Sequence, residues 1–305
     1  MDFYRNCLIR MHGIENMEFE LRQMFKSTDD EAKIESFIDR RVSGEPLQYI
    51  LGEWEFYGLP FKVGEGVLIP RQDTETVVDF ILEKHLITPF DSSLSDYDNL
   101  TKFAAGGMPS YRILDLCAGS GCIGIALEKE SETEFLSDAG YAMQNAFGRA
   151  AVELPGFTPE VVAVEKFNIR YLKENIALNS SRAAVLQADV LSEDTVNALI
   201  QEYGLFDMIV CNPPYLSKED MENLQTEVTY EPREALYGGE DGLDFYKKLT
   251  RLWHRALRKH GSIFYELGIN QYDRVKYILE SGGFNRIDFK KDCCGVIRVI
   301  EGVRI

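Results

Sequence analysis

The stretch Asp207-Met208-Ile209-Val210-Cys211-Asn212-Pro213-Pro214-Tyr215 constrains the fold more than any other. Its apolar half is too short for a helix and is bounded by breakers, so it reads as a buried strand. Proline has no N–H for a sheet ladder, and two in succession cannot continue a central strand. The chain must therefore leave the sheet at Asn212, at the strand's carboxyl end. In open α/β sheets ligands bind along that edge. Pro213 and Pro214 hold φ near one value and stiffen the turn; they also leave neighbouring carbonyls free to accept hydrogen bonds. Asn212 adds a side-chain amide and Tyr215 a flat aromatic face. A rigid group of acceptors beside an aromatic plane suits a planar NH2 group on an sp2 carbon. The plainer alternative is a proline-rich loop after a buried strand, and four residues alone do not decide between the two.

The rest of the chain bears on that choice. With 305 residues, 45% hydrophobic and 27% charged, it buries a core easily and suits one large or two modest domains. A net charge of -17 argues against a non-specific hold on nucleic acid phosphates. No apolar run is long enough to span a bilayer, and the start resembles no signal peptide, so a cytoplasmic protein is expected. Of the cysteines, Cys7, Cys117, Cys122, Cys211, Cys293 and Cys294, none forms a Cys-x-x-Cys pair. They read as reduced, buried thiols. His12, His85, His254 and His260 lie in no motif, and no metal is expected.

In chain order, residues 1 to about 42 carry helical periodicity, with the Thr28-Asp29-Asp30-Glu31 run able to cap a helix through Val42. Gly44 and Pro46 end it. From Leu47 to Ile69 aromatic and β-branched residues punctuated by glycines predict a β-hairpin. Asp73 or Thr74 is a candidate cap for a helix through Leu82. Residues 86–110, rich in Pro, Ser, Asp and Gly without periodicity, read as a linker or solvated insertion.

Next comes a strand at Arg112–Leu116, a turn Cys117-Ala118-Gly119-Ser120-Gly121 and a helix from Cys122. Strand, glycine turn and helix let backbone approach a nucleotide-like ligand. Such a site wants an acid at the end of the next strand for ribose hydroxyls, usually about 20 residues on. The strand Val161–Val164 supplies Glu165, yet 44 residues after Gly121. Residues 128–160 hold the surplus and predict an insertion, with a short helix around 142–151. A helix through Leu178, a strand 183–188 ending at Asp189 and Val190, and the opening strand at 206–211 follow. A helix over 244–258, a strand 262–267, a helix 271–280 and a closing hairpin (284–290, 296–300) complete the chain. Alternation of this kind predicts a doubly wound, mostly parallel sheet with one antiparallel strand.

Asp115, the Gly119/Gly121 turn, Glu165, Asp189 and Asn212 thus fall at or just past strand ends on one edge. The arrangement resembles the class I S-adenosylmethionine-dependent methyltransferases, whose amino-methylating members carry Asn-Pro-Pro-Tyr. Arg40-Arg41, Gly44 to Ile50, Leu68-Ile69-Pro70-Arg71, Asp73-Thr74-Glu75, Glu231-Pro232-Arg233, Gly239 to Phe245, Asp292 and Arg298 narrow this. Together they resemble the PrmC/HemK family of peptide chain release factor glutamine methyltransferases, from about residue 30 to the C-terminus. The resemblance implies a seven-stranded class I α/β fold, with a helical domain at 1–45, a β-hairpin bridge at 46–70 and a methyltransferase domain at 71–305. It implies S-adenosyl-L-methionine, held by Asp115, Cys117, Ala118, Gly119, Ser120, Gly121, Glu165, Asp189, Val190 and Asn212. It implies that the Asn212 side chain and the Pro213 carbonyl accept the two hydrogens of a substrate amide. Pro214 and Tyr215 complete that site, and Arg71 and Glu75 contact the substrate. The expected partner is a release factor, with no DNA, no membrane and a monomeric state. Four departures stand out. The helical part is shorter than the family's bundle, 128–160 is atypical, Cys117-Ala118 replaces a common Gly-Thr, and Gln72 stands where proline is common.

Three rival readings stand beside this one, two of them enzymes and one not. A ribosomal-protein glutamine methyltransferase shares the chemistry, and Cys117 and Cys122 are compatible with it, whereas the Pro-Arg-x-Asp-Thr-Glu segment favours release factor. A DNA amino-methyltransferase predicts a basic groove and a target-recognition domain, and neither is evident. A cofactor-binding protein without activity would have no need of an intact Asn-Pro-Pro-Tyr.

Overall fold

The computed structural model describes residues 2–84, 111–131 and 158–305. The linker expected at 86–110 and the helix expected at 142–151 lie outside the described residues. Helices α1 (Asp2–Arg10), α2 (Met17–Ser27), α3 (Glu31–Val42) and the short α4 (Leu47–Leu51) open the chain. Each of the first three buries one stripe, and Met11, Leu21, Met24, Ile34 and Ile38 meet in a shared core. Asp30 caps α3, accepting from the Ala32 N–H at 3.0 Å. The bundle is pinned to the remainder by Arg41, which is buried and donates to Glu20 at 2.7 Å and to Glu227 at 3.0 Å.

The hairpin is shorter than the glycine spacing predicts. Leu47–Leu51 is helical, because the Pro46 carbonyl accepts from both the Tyr49 and Ile50 N–H groups and Gly52 closes the turn at φ 78°. The β-prone side chains there misled, since two breakers set the local backbone. Only β1 (Glu53–Phe56) and β2 (Leu59–Lys62) pair. Helix α5 (Gln72–Lys84) begins before either candidate cap, so Asp73 and Thr74 lie within its first turn.

The remaining elements are β3 (Arg112–Leu116), α6 (122–131), β4 (Glu160–Glu165), α7 (Arg170–Leu178), β5 (Ala184–Gln187), α8 (Glu193–Tyr203) and β6 (Phe206–Cys211). After them come α9 (Lys218–Glu222), α10 (Arg233–Leu236), α11 (Asp244–Trp253), β7 (Leu257–Glu266), α12 (Tyr272–Ser281), β8 (Phe284–Lys291) and β9 (Ile297–Arg304). Seven strands form one sheet in the order β5-β4-β3-β6-β7-β9-β8. All neighbours are parallel except that β9 runs antiparallel to both β7 and β8. This is the class I methyltransferase fold. The helix expected to reach residue 258 stops at Trp253, and β7 starts at Leu257, earlier than its apolar run suggests. A shift in the β6–β7 register and a left-handed His260 (φ 67°) carry that polar start into the sheet.

Period-two alternation sends neighbouring side chains to opposite faces. Leu114, Leu116, Ile209, Cys211 and Ile263 pack on α8, α11 and α12, while Ile113, Met208, Val210 and Phe264 pack on α5, α6 and the hairpin. Helix α7 shows Leu178 exposed and hides a polar residue instead, Asn175. Its Oδ1 accepts from the Lys62 N–H at 2.6 Å, and its Nδ2 donates to the carbonyls of Lys62 at 3.1 Å and Ser120 at 3.0 Å. One side chain thereby joins the hairpin to the glycine turn. All six cysteines are free; Cys7, Cys122 and Cys211 are buried, but Cys293 and Cys294 are exposed because they sit in the β8–β9 turn. Among the described residues no helix is long and apolar enough to cross a membrane, and no His, Cys, Asp and Glu group is arranged for a metal ion.

Replacing Asn175 by Ala removes these bonds and strands buried backbone groups. The expected cost is about 2–3 kcal/mol, read as a lower urea midpoint with an unchanged m-value.

Candidate active site

The strand order reverses between β3 and β6, since the chain winds outward through β4 and β5 and then returns to the other side of β3. Such a switch point opens a crevice at the carboxyl ends of the two strands. A cavity of about 680 Å³ lies there, and its walls include Asp115, Gly119, Glu165, Asp189, Asn212 and Arg71. Cys117, Ala118, Ser120 and Val190 also line it, whereas Gly121, Pro213, Tyr215 and Glu75 stand outside the wall.

Cys117 adopts φ 58° and Gly121 φ 82°. A left-handed backbone costs a side-chain-bearing residue about 1–2 kcal/mol, which explains why glycine suits position 117. Gly121 is required by packing as well, because a Cβ there would lie 2.5 Å from Leu172 Cδ1. The turn brings the Gly119 N–H to Glu165 Oε2 at 2.9 Å, while Glu165 Oε1 accepts from the N–H groups of Lys166 and Phe167, each at 2.9 Å. The long sequence gap is thus closed by β3–β4 pairing, in which Leu116 lies level with Val164. Asp189 accepts from the Leu191 N–H at 2.9 Å and pairs with the Lys166 ammonium at 2.8 Å.

Asp115 is 1% exposed and accepts from the Gly124 N–H at 3.0 Å, tying β3 to the first turn of α6. Burial pushes its carboxyl up to about 7, with the Glu165 charge adding to the rise and the Gly124 N–H opposing it. Glu165 and Asp189 place carboxylate oxygens along one end of this rim.

At the end of β6, Asn212 is half-buried and faces the cavity with Pro214. Among the described residues none hydrogen-bonds the Asn212 side chain. Its amide is therefore uncommitted where a ligand can reach it. Tyr215 turns inward, away from the position expected against a substrate plane. Its hydroxyl meets Glu266 Oε1 at 3.3 Å and its carbonyl accepts from Gln271 Nε2 at 2.9 Å. Two glycines admit this turn: a Cβ on Gly238 would lie 2.6 Å from the Pro214 carbonyl, and one on Gly242 would lie 2.3 Å from that of Tyr215.

Arg71 reaches the cavity and pairs with Glu231, whose side chain is 1% exposed and also accepts from the Ile69 N–H at 3.0 Å. Glu75 instead accepts from the Tyr57 N–H at 2.8 Å, clamping the hairpin to α5. One helical turn separates the two positions, so a shared motif does not give them a shared direction. Three residues escaped the sequence reading. Phe167 lines the cavity yet is 53% exposed, and its signal was an aromatic just beyond the strand-end acid. Glu231 was visible only as part of Glu-Pro-Arg. Glu266 was read only as part of the strand 262–267, with no role of its own.

The chain has relatives among known proteins. Residues 13–52 match the family model described as the PrmC N-terminal domain. The release factor glutamine methyltransferase of Thermodesulfovibrio yellowstonii is 36% identical over 270 residues, covering 88% of this chain and 79% of that one. The enzyme of the same description from Clostridium acetobutylicum is 32% identical over 297 residues, 97% of this chain and 86% of that one. A solved release factor-specific protein-(glutamine-N5) methyltransferase from Alicyclobacillus acidocaldarius is 23% identical, with a TM-score of 0.40 over 80% of this chain and 99% of that chain.

Asp115 binds its proton more tightly folded than unfolded. Its contribution is complete below about 4 and is lost as pH rises through about 7. In ligand-free protein, Asp115→Asn should therefore gain stability relative to the parent across that interval. Thermal melts in matched buffers should show the gap in Tm widening with pH.

Proposed function

The chain belongs to the release factor glutamine methyltransferase family, and from that premise we propose that it methylates a glutamine side-chain amide in the Gly-Gly-Gln motif of peptide chain release factors, using S-adenosyl-L-methionine. The observation that carries the reading is the uncommitted Asn212 amide on the cavity wall, at the carboxyl end of β6. The cavity fits the cofactor in three respects. Its volume is of the size that small-molecule sites show. Carboxylates line one end, suiting ribose hydroxyls and a cationic sulfonium. The Gly119 turn offers open backbone, since a Cβ there would have nothing closer than the Cys117 carbonyl at 4.0 Å.

When bound, S-adenosyl-L-methionine supplies the methyl group on a positively charged sulfur. Glu165, already set by three backbone N–H donors, offers remaining lone pairs to ribose hydroxyls. The Asn212 Oδ1 and the Pro213 carbonyl each accept one hydrogen of the substrate amide, fixing the direction of its nitrogen. An amide nitrogen is a poor nucleophile because its lone pair is delocalised, and orientation of this kind supplies several kcal/mol. Arg71, held by Glu231, is a cation on the cavity wall that can donate to backbone carbonyls of the incoming loop. A glutamine flanked by glycines enters a narrow pocket because glycine reaches backbone conformations closed to other residues. The net charge of -17 supports a protein substrate over DNA. Asn-Pro-Pro-Tyr and the helical domain matched at 13–52 support a cytoplasmic, translation-linked role.

The test is mass spectrometry of release factor treated with enzyme and cofactor. A gain of one methyl on the tip glutamine, absent when that residue is replaced, is the expected result; preferential methylation of DNA or a ribosomal protein overturns the assignment. In the same assay Asn212→Ala should lose about a hundredfold or more in turnover while cofactor affinity holds. Glu165→Ala should weaken cofactor binding by about 1.5–3 kcal/mol in calorimetry, and an unchanged Kd would assign the ribose contact to another group.

A further inference from the structure

Glu266 ends β7, one strand over from the site. Cys211 lies level with Tyr265, so Asn212 and Glu266 are the next residues on adjacent parallel strands. Glu266 is 1% exposed. One carboxylate oxygen receives the Tyr215 hydroxyl at 3.3 Å. The other, Oε2, has the hydroxyl of Thr74, a residue of the cavity wall, near it, but neither atom makes a hydrogen bond of good geometry. A buried carboxylate that accepts so little is expensive to keep. Packing alone would favour glutamine or methionine, and an acid retained in this way next to a reactive turn points to function.

Tyr215 is held at both ends. Glu266 takes its hydroxyl and Gln271 its carbonyl. Gln271 is itself fixed by the Gly268 N–H at 3.0 Å and the Tyr246 hydroxyl at 3.2 Å. Gly268 leaves room for the ring, since a Cβ there would lie 3.0 Å from Tyr215 Cδ2. We propose that Glu266 is a positioning residue for methyl transfer, holding the Tyr215 hydroxyl so that the turn presents Asn212 in one orientation. The proposal rests on the reading of that turn as the methyl-transfer site.

Ionisation of Glu266 tunes this grip. Burial pushes its carboxyl up to about 7; the Thr74 and Tyr215 hydroxyls and the Arg298 guanidinium pull it down, and Asp73 pushes it up. Cys122 on α6, Cys211 on β6 and Tyr246 on α11 also feel its charge. Above about 7 the bond from Tyr215 becomes charge-assisted and shorter, and the turn tightens.

Turnover at saturating cofactor and release factor is measured against pH for the parent, Glu266→Gln, Glu266→Ala and Tyr215→Phe. The parent kcat should rise through neutral pH, and Glu266→Gln should lack that limb while folding normally. Glu266→Ala should lower kcat about tenfold to a hundredfold and change the cofactor Kd less than about twofold; Asp115, which titrates in the same range, is read separately in that Kd. In a Tyr215→Phe background Glu266→Gln should add no further loss. An unchanged limb in Glu266→Gln, or losses that multiply in the double variant, overturns the proposal. The contact also has a readout independent of activity. The 13C resonance of Tyr215 Cζ should shift with a midpoint near neutral pH in the parent and not in Glu266→Gln. A parent that shows this shift but methylates no release factor would sink the functional reading and leave the contact standing; a Tyr215 resonance blind to Glu266 would sink the contact.

Discussion

The structure depends on where one central strand is made to stop. β6 pairs with β3 on one side and β7 on the other, so its backbone groups are committed until Cys211. Pro213 and Pro214 then have no N–H to offer either neighbour, and the ladder ends for both at one level. The end falls where the strand order reverses, so the space it leaves is the crevice itself. The turn that fills this position cannot relax toward the sheet. It is held from behind by contacts to Leu236, Gly238 and Gln271. Glycines at 238 and 242 are the condition for that packing, since side chains there would overlap the Pro214 and Tyr215 backbone.

Electrostatics follow from the same edge. Parallel strands direct their carboxyl ends one way, and the acids that end or follow them gather there: Asp115, Glu165, Asp189 and Glu266. Each is handled differently. Glu165 accepts from three backbone N–H donors and Asp189 is paired with Lys166, while Asp115 and Glu266 are desolvated and carry raised pKa values. The half-buried pair suits recognition. The buried pair converts carboxyls into groups that titrate near neutrality, which is where a protonation change alters geometry without unfolding the protein.

What was legible in the sequence was whatever burial dictates. Strands β3, β4 and β6 are apolar runs ended by an acid or a breaker, and their bounds were read to within a residue. The antiparallel return of β9 was also readable, because two strands so close in sequence must pair as a hairpin. Illegible features were those decided by long-range partners. Leu47–Leu51 became helical through a proline and a glycine on either side, against its own β propensity. The start of β7 is polar because its outer end is tied by Arg258 to Asp207. The site shows the same split. Asn212, Glu165 and the glycine turn stand at strand ends and were visible, whereas the partner of Arg71 lies 160 residues away at Glu231, a distance no local pattern encodes.

The long separation between Gly121 and Glu165 is the feature most at odds with the usual spacing, and the topology explains why the site tolerates it. Helix α6 starts at the carboxyl edge beside the glycine turn and runs antiparallel to the strands, so residue 131 is reached near the amino edge. β4 begins at Glu160 on that same edge. Residues 131 and 158 thus both lie on the side opposite the cavity, with Thr158 meeting Arg182 at 3.2 Å and Lys129 meeting the Ser180 carbonyl at 2.9 Å. Added sequence between those two ends does not touch the register of β4 against β3, which five residue pairs set. Because Glu165 is positioned by that register and by the Gly119 N–H, its distance from the turn in space is independent of its distance in sequence. A spacing rule taken from shorter crossovers describes the crossover, whereas the requirement of the site is the pairing.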